Sequence, residues 1–493
     1  MPATPRFIAR LYVTLLIGWV SVILAVTLYP FDFGAVSHFV SYPELTQQTE
    51  WRWWARLIDF PLNVLFFVPL GIALRGLSRR DLGWSLATAA TLGLALSIFV
   101  EAMQTQLPSR DPSGWDLIAN TLGAVIGSCL RLARDSRVIA TTWNTLQSLD
   151  NRLARPQSWF LACGYFAMVL LLSAVLQRQT ALTGWDLTMP LVFGNEASGD
   201  RPWIGELTEV EFANRAINEG QLLPALATSI ASVVPAAIVA NVSGRQAFDA
   251  TTLLAESSKQ ASLGPEISRQ VSQSGEFSLR FLMRAPNALQ QGPARLISIS
   301  ADGSSRNLTV AAQYDALVIR LRSPFAGNNG REPEFAVPEV FPAEDWQTVL
   351  VSYDGRELLV TAGARSGTTR FHLSPGSVVA HKLNGASVDE LRGQRILYLL
   401  LALAPVGVLV GTAVLRSAAP RRRVLPVLLL LALAALLTSA LLELLLATVS
   451  GSRFDVAGWG MGIACAALGV GVAVGWRGLL SGADLTRRPS GSP

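Results

Sequence analysis

The chain is dominated by apolar segments that are each long enough to cross a lipid bilayer. A helix that crosses the hydrocarbon core needs about 20 mostly apolar residues. Of the 493 residues, 51% are hydrophobic and only 15% are charged, whereas a soluble protein carries about 25% charged residues. We therefore predict an α-helical polytopic membrane protein with about eight spans, at residues 8–29, 60–76, 84–103, 117–133, 158–176, 396–415, 424–446 and 457–476. No small-residue cleavage site follows the first span, which predicts a retained helix rather than a signal peptide.

Arginine residues are distributed unevenly between the loops that join these spans. If the N-terminus is cytoplasmic, 17 arginines lie in cytoplasmic segments and four lie in short outer loops: Arg52, Arg56, Arg110 and Arg453. Cytoplasmic loops are enriched in Lys and Arg, so we predict that both termini are cytoplasmic and that residues 177–395 are extracytoplasmic. The net charge of +5 comes largely from the inner loops. We therefore expect membrane lipids, and no nucleic acid, as partners.

Three further compositional features limit the chemistry and the source of the chain. The three cysteines (Cys129, Cys163 and Cys465) fall within predicted spans, and the three histidines lie outside them. No Cys/His cluster with zinc-ligand spacing exists, so we predict no metal site and no cofactor. Arginine outnumbers lysine 38 to 2. That ratio is typical of a GC-rich bacterial genome and favours the bacterial cytoplasmic (inner) membrane.

Polar residues collect at the predicted outer ends of spans two, three and four. Charged groups at membrane depth are costly, so they usually pair and often mark a functional site. If the four helices form a bundle, these groups converge in one pocket that opens to the outside. The candidate ligand-binding residues are Asp59, Asn63, Glu101, Gln104, Arg110, Asp116 and Asn120. The residues predicted to serve helix packing are Pro69, Gly71, Gly123 and Gly127.

A purely structural explanation of the same polar residues stays open. Arg110 could pair with Glu101 or Asp116 and fix the outer turn, and Asp116 could be the N-cap of the fourth span. The asparagines could join helices by hydrogen bonds. Paired carboxylates can also perform acid–base catalysis. No nucleophile with its base is evident, so we predict no catalytic residue, and the sequence leans away from an enzyme.

Two stretches resemble the signature of VanZ-like membrane proteins, a family named for a glycopeptide-resistance protein. They are DFPLNVLFFVPLG at residues 59–71 and EAMQTQLPSRDPSGWDLIANTLGAVIG at residues 101–127. The first fits the family through Asn63, Phe66, Pro69 and Gly71. The resemblance implies a role in the bacterial envelope, with a link to glycopeptide susceptibility.

The two membrane halves share a pattern that indicates an internal repeat. Val68-Pro69-Leu70-Gly71 corresponds to Ala404-Pro405-Val406-Gly407, and Glu101 precedes Gly127 by the same spacing as Glu443 precedes Gly469. Four spans in each copy predict two parallel four-helix repeats, the second of them degenerate. The alternative is that Leu-, Ala- and Gly-rich spans always look alike.

Residues 177–395 are more polar and contain alternating runs typical of strands. The runs lie at Glu276–Met283, Arg295–Ser300, Leu308–Arg322 and Trp346–Ala362, and they predict an antiparallel all-β sandwich. FSLRFLMRAP, LTVAAQYDALVIRLRSP and DWQTVLVSYDGRELLVTAGA resemble successive strands of a concanavalin-A/laminin-G-like jelly roll. Residues 201–217 resemble the closing strand of that fold but come first. The apolar stretch Leu222–Val242 is predicted to be a buried helix or strand pair rather than a ninth span.

These observations predict four parts. They are a VanZ-like four-span domain (1–150), an extracytoplasmic lectin-like domain (177–395), a second four-span unit (158–176 with 396–480) and a cytoplasmic tail (481–493). The main functional hypothesis is recognition of an envelope glycan, glycolipid or cell-wall lipid intermediate. The alternatives are a transporter or flippase for an envelope lipid, an enzyme that acts on an envelope glycolipid, and a surface adhesion scaffold.

Overall fold

The computed structural model describes most of the chain. The described residues are 5–28, 52–78, 80–106, 113–130, 136–153, 157–249, 260–285, 290–362, 367–384, 391–417 and 424–484. The chain divides into two compact units. The first comprises Met1–Phe166, Ala402–Leu436 and Ile463–Pro493, and the second comprises Ala167–Leu401 and Leu437–Gly462.

The described residues form twelve α-helices. They are α1 (Pro5–Thr27), α2 (Arg52–Leu77), α3 (Leu82–Gln104), α4 (Gly114–Cys129), α5 (Ser136–Leu153), α6 (Gln157–Gln177), α7 (Glu219–Ala227), α8 (Leu263–Ser274), α9 (Pro375–Asn384), α10 (Leu391–Ser417), α11 (Val424–Ser450) and α12 (Val456–Asp484). Seven of them are long and apolar enough to cross a membrane: α1, α2, α3, α6, α10, α11 and α12.

The fourth predicted span, residues 117–133, coincides with the shorter helix α4. This helix has 16 residues. At about 1.5 Å per residue it is about 24 Å long, which is less than the hydrocarbon core of about 30 Å. Seven of the eight expected spans therefore have a helix of sufficient length in the described residues, and the eighth crossing stays a prediction.

Helix α5 is an element that the hydropathy pattern did not predict, because its segment is polar overall. Its apolar residues fall on one face and pack within the first unit. Ile139 belongs to a small buried cluster with Phe7 and Leu479, and the rings of Phe7 and Trp143 meet edge to face with centroids 4.5 Å apart. A helix with one apolar face is stabilised by packing of this kind rather than by insertion across a bilayer.

The expectation of antiparallel strands in the polar region is confirmed. The strands are β1 (Leu191–Phe193), β2 (Gly205–Ala213), β3 (Ile238–Val242), β4 (Gln246–Phe248), β5 (Phe277–Ala285), β6 (Gln290–Ser300), β7 (Arg306–Tyr314), β8 (Ala316–Leu321), β9 (Phe335–Val337), β10 (Ala343–Tyr353), β11 (Glu357–Ala362) and β12 (Thr368–His372). One sheet has the order β1-β6-β7-β8-β9. The other has the order β12-β11-β10-β5-β2-β3, with β4 also paired to β2.

One hydrophobic core is built from both sheets. In β5, the core receives Phe277, Leu279, Phe281 and Met283, which alternate along the strand as the sequence pattern predicted. Residues of β6, β7 and β8, in the other sheet, belong to the same buried cluster. The two sheets therefore pack against each other through this core.

The apolar stretch Leu222–Val242 does not form a membrane span. It contains most of α7, two short 3₁₀ turns and strand β3. Asn218 begins α7 with a capping box in which it exchanges hydrogen bonds with Gln221. Ala225 and Ile230 then pack beside Leu350 of β10 in a second, smaller core.

Candidate functional site

Helices α2 and α4 cross at very short range, and glycines allow this approach. A Cβ added to Gly71 would lie 2.8 Å from the backbone nitrogen of Ser128, and one added to Gly123 would lie 3.0 Å from the Cβ of Phe67. A Cβ on Gly127 would lie 3.0 Å from the Cα of Gly71. Small residues at such positions let two backbones meet. The geometry gives these three glycines a packing role.

Beside this crossing, polar side chains of α2 and α4 are joined directly. The Asn63 amide donates a hydrogen bond of 2.9 Å from Nδ2 to the Asp116 carboxylate. The negative charge of Asp59 acts on Asp116, and the negative charge of Asp116 acts on Glu101. Three helices therefore bring three carboxylates and one amide to the same end of the first unit, with Asp59 exposed and Asp116 half-buried.

Glu101 fixes the start of α4. Its Oε2 accepts a hydrogen bond of 2.8 Å from the backbone N–H of Ser113. Ser113 is the N-cap of α4, and its side chain accepts from the backbone N–H of Trp115. The alternative that Asp116 caps this helix is therefore wrong. Asp116 lies in the first turn, where the positive end of the helix dipole favours an acidic side chain.

Asn120 lies one turn deeper than Asp116 and is buried. Its Nδ2 donates a 2.9 Å hydrogen bond to Ser97 Oγ, one turn deeper than Glu101 on α3. Its Oδ1 is buried without a hydrogen-bond partner among the described residues. Gln104 turns to a different neighbour, because its Nε2 donates to the backbone carbonyl of Thr27 at 2.9 Å. The structure thus brings Asn120 beneath the carboxylates and uses Gln104 to tie α3 to α1.

Two of the predicted residues, Arg110 and Pro69, are not among the described side chains joined by hydrogen bonds in this cluster. Arg110 lies outside the described residues. Pro69 lies within α2 and cannot donate the N–H that would bond the carbonyl of Leu65. The site also contains Ser97 and Ser113, which the sequence did not single out because serine is common in both helices and turns. No group of three His, Cys, Asp or Glu that could hold a metal ion occurs in the part of the chain that the structure describes.

A comparison with known protein families covers this same region. Residues 12–134 match the model of the VanZ/LLP1 family. The match extends from α1 through α4 and includes every residue of the polar cluster. No curated protein and no solved structure matches the chain. Together with the seven membrane-capable helices, the family match identifies a multi-pass membrane protein with a VanZ-like domain.

Outside the VanZ-like domain, α11 and α12 repeat one feature of α3 and α4. Glu443 accepts a 3.1 Å hydrogen bond from the backbone N–H of Asp455, again 12 residues later in the chain. Asp455 then accepts hydrogen bonds from the backbone N–H groups of Ala457 and Gly458, at 2.9 and 3.1 Å. A glutamate in the last two turns of one helix thus accepts a hydrogen bond from the start of the next helix in both halves.

Glycines also repeat at the crossing of α10 and α12. A Cβ on Gly407 would lie 3.0 Å from the Val470 backbone nitrogen, and one on Gly469 would lie 3.0 Å from the Cα of Ala404. These contacts correspond to those of Gly71 and Gly127 between α2 and α4. The correspondence is one of individual contacts, and the repeat of two four-helix units stays a prediction.

Glu443 has a side-chain partner that has no counterpart at Glu101 among the described residues. The Arg356 guanidinium, from the turn between β10 and β11, forms a two-pronged ion pair with its carboxylate, and the Nη2–Oε2 distance is 3.3 Å. The side chains are only 10% and 5% exposed. Sequence reasoning missed this pair because 87 residues separate its members and neither lies in a local motif.

A second ion pair lies near the first. Arg395 of α10 pairs with Asp455. Burial raises the pKa of Asp455. The positive charge of Arg395, together with hydrogen bonds that Asp455 accepts from Arg395 and from the Gly458 backbone N–H, brings this pKa below its ordinary value. The carboxylates of this half are therefore neutralised by arginines. Among the described residues, Asp59, Glu101 and Asp116 of the VanZ-like domain form no such ion pair.

Proposed function

We propose that the protein recognises an envelope glycan, glycolipid or cell-wall lipid intermediate at the polar cluster of its VanZ-like domain. The observation that carries the proposal is the convergence of Asp59, Glu101 and Asp116 beside Asn63. Carboxylates and amides together accept and donate the hydrogen bonds that hydroxyl, amide and ammonium groups of such molecules require. The cluster holds net negative charge without an arginine from the described residues, so it favours a ligand that supplies donors.

The sandwich contributes to the proposal as a lectin-like domain. Two antiparallel sheets around one core support a concanavalin-A/laminin-G-like jelly roll. Along the chain, the sandwich lies between the membrane-capable helices α6 and α10. In this proposal, residues 177–395 and the polar cluster face the outside of a bacterial inner membrane, and both termini are cytoplasmic. The protein then acts in the envelope, with an effect on glycopeptide susceptibility.

Binding by conservative variants tests the role of the cluster. Full-length protein in detergent would be titrated with an N-acetylated disaccharide, an amine-bearing disaccharide and a short-chain phosphate-linked glycolipid. We expect Asp116→Asn and Glu101→Gln to weaken binding of at least one probe by about tenfold or more, because each removes a charge-assisted hydrogen bond.

The matched control is Asp81→Asn. Asp81 is exposed at the opposite end of α3 from Glu101, and its side chain makes no capping hydrogen bond. This variant makes the same chemical change away from the cluster and should bind like the parent protein. Equal affinities of all variants for every probe that binds would refute recognition at the cluster and favour the scaffold hypothesis.

A further inference from the structure

A second candidate site lies in the unit that contains the sandwich. It is a cleft of about 660 Å³ lined by the segment after β2, by α7, by the residues before β3, by the residues just before β5 and by the turn between α11 and α12. This volume lies in the range of small-molecule sites, about 300–1,000 Å³. The cleft shares no residue with the polar cluster of the VanZ-like domain.

Arg453 places this cleft at the level of a membrane surface. The membrane-capable segment of α11 ends at Ser450, and that of α12 begins at Val456. Arg453 lies midway in the turn between them and is exposed. A residue three positions from the end of each of two spans lies near the lipid headgroups. An opening lined by Arg453 is therefore within reach of a headgroup.

Two arginines give the cleft a positive charge. Arg215 and Arg453 both line it and are exposed, and neither forms an ion pair with a described residue. The acid among the lining residues is Glu276, whose Oε2 accepts a 3.0 Å hydrogen bond from the Ala216 backbone N–H. Burial raises the pKa of Glu276, and the charges of both arginines oppose that rise. The cleft therefore favours an anion.

The backbone that carries Arg215 is held in place before any ligand binds. The Ser278 hydroxyl donates a 2.7 Å hydrogen bond to the Arg215 carbonyl. The Ile217 backbone N–H donates a 2.8 Å hydrogen bond to Ser352 Oγ. Both serines belong to central strands of the larger sheet. A fixed backbone reduces the entropy that a ligand must remove on binding.

One wall of the cleft is apolar. It is formed by Val233, Val234 and Pro235 with the two alanines that follow. A ligand that fits this wall and the two arginines has an anionic group next to a hydrocarbon part. A free inorganic anion would leave the apolar wall unused.

We propose that this cleft binds the phosphate-bearing headgroup of an anionic membrane lipid. Arg215 and Arg453 contact the phosphate, for which guanidinium groups are well suited. The apolar wall at 233–237 packs against the glycerol or the first part of an acyl chain. The site is separate from the polar cluster and stands whether or not that cluster binds a ligand.

Titration of the full-length protein in detergent with dioctanoyl phosphatidic acid tests this assignment. We expect Arg215→Gln and Arg453→Gln each to weaken binding about tenfold, because each removes a charge-assisted contact with phosphate. Arg453→Lys should keep most of the affinity. Glu276→Gln should strengthen binding severalfold, because it removes a negative charge from the cleft while keeping an acceptor for the Ala216 N–H.

Control variants separate a specific site from general attraction to anions. Arg331→Gln changes an exposed sandwich arginine away from the cleft, and Arg178→Gln changes an exposed arginine at the end of the α6 span. Both should bind like the parent protein. The proposal is overturned if the controls lose as much affinity as the cleft variants, if the cleft variants lose none, or if inorganic phosphate competes as well as the lipid.

Discussion

At the scale of single residues, the most consequential contact is the buried ion pair between Arg356 and Glu443. It joins a turn of the sandwich to helix α11 within one compact unit. The turn reaches α11 closely, because a Cβ on the preceding Gly355 would collide with the backbone of Ser450. Gly355 also has φ +94, a conformation that disfavours any side chain.

Removing one member of this pair should destabilise the protein more than removing both. We expect Arg356→Met or Glu443→Leu alone to cost about 3–5 kcal/mol, because each leaves an unpaired charge in a buried position. The double variant should recover a large part of this loss. Denaturant or thermal unfolding of the purified protein in detergent measures the three values.

An exposed ion pair provides the comparison. Arg269 and Glu266 pair on the surface of α8, with side chains 50% and 45% exposed. Arg269→Met should cost no more than about 1 kcal/mol, because solvent screens such pairs. Additive effects of the Arg356 and Glu443 substitutions would show that the two charges do not stabilise each other.

The sequence predicted the acids of the polar cluster better than the partners of those acids. Asp59, Glu101 and Asp116 stand out because charges are rare at span ends. The partner of Glu101 is a backbone N–H, and every residue other than proline carries one, so no residue type marks it. The partner of Glu443 is distant in the chain, and its position becomes evident only after the strands have paired.

At the scale of elements, the crossing of α2 and α4 depends on the absence of side chains at three positions. Gly123→Ala should therefore separate the two helices or destabilise the fold, since the added Cβ would collide with the Val64 carbonyl. The control is Gly164→Ala in α6, where a Cβ would meet nothing within 4 Å. Alanine favours a helix over glycine by about 1 kcal/mol, so the control should be neutral or stabilising.

Thermal unfolding and the yield of monodisperse protein distinguish these two alanine variants. A Gly123→Ala protein as stable as the Gly164→Ala protein would contradict the close crossing. A Gly407→Ala variant extends the test to α10 and α12, where the same kind of contact occurs with the Ala466 carbonyl.

Elements with a regular apolar pattern were predictable, and elements stabilised by tertiary contacts were not. The period-two alternation at 276–283 predicted β5, and long apolar runs predicted seven helices. Helix α5 was missed because the polar majority of its residues hides one narrow apolar face. The stretch 222–242 resembles a span in composition, but it folds into part of α7, two 3₁₀ turns and β3. These segments pack against the larger sheet.

At the scale of the whole molecule, the length of α4 determines how the sides of the membrane are assigned. With α4 as a crossing, the arginine distribution places α5 in the cytoplasm and residues 177–395 outside. If α4 does not cross and the N-terminus is cytoplasmic, α5 lies outside and residues 177–395 lie in the cytoplasm. The 16 residues of α4 are few for a span, whereas the excess of arginine between α4 and α6 favours a cytoplasmic loop there.

Cysteine labelling resolves this assignment in a chain whose three native cysteines are replaced by alanine. Arg331→Cys in the sandwich and Arg152→Cys in α5 both place a thiol at an exposed position. We expect a membrane-impermeant maleimide to label Arg331→Cys in intact spheroplasts and to label Arg152→Cys only after lysis. The reverse pattern would show that α4 does not cross the membrane.

The hydrogen bond from a backbone N–H to Glu101, and its counterpart at Glu443, has an evolutionary consequence. Any amino acid other than proline can supply that N–H. Ser113 and Asp455 also accept hydrogen bonds from the first backbone N–H groups of α4 and α12, so short polar side chains such as serine and aspartate serve both roles. These two positions can then exchange one capping residue for another while the two glutamates stay fixed. Ancestral kinship between the halves would be better preserved in three-dimensional superposition than in residue identity.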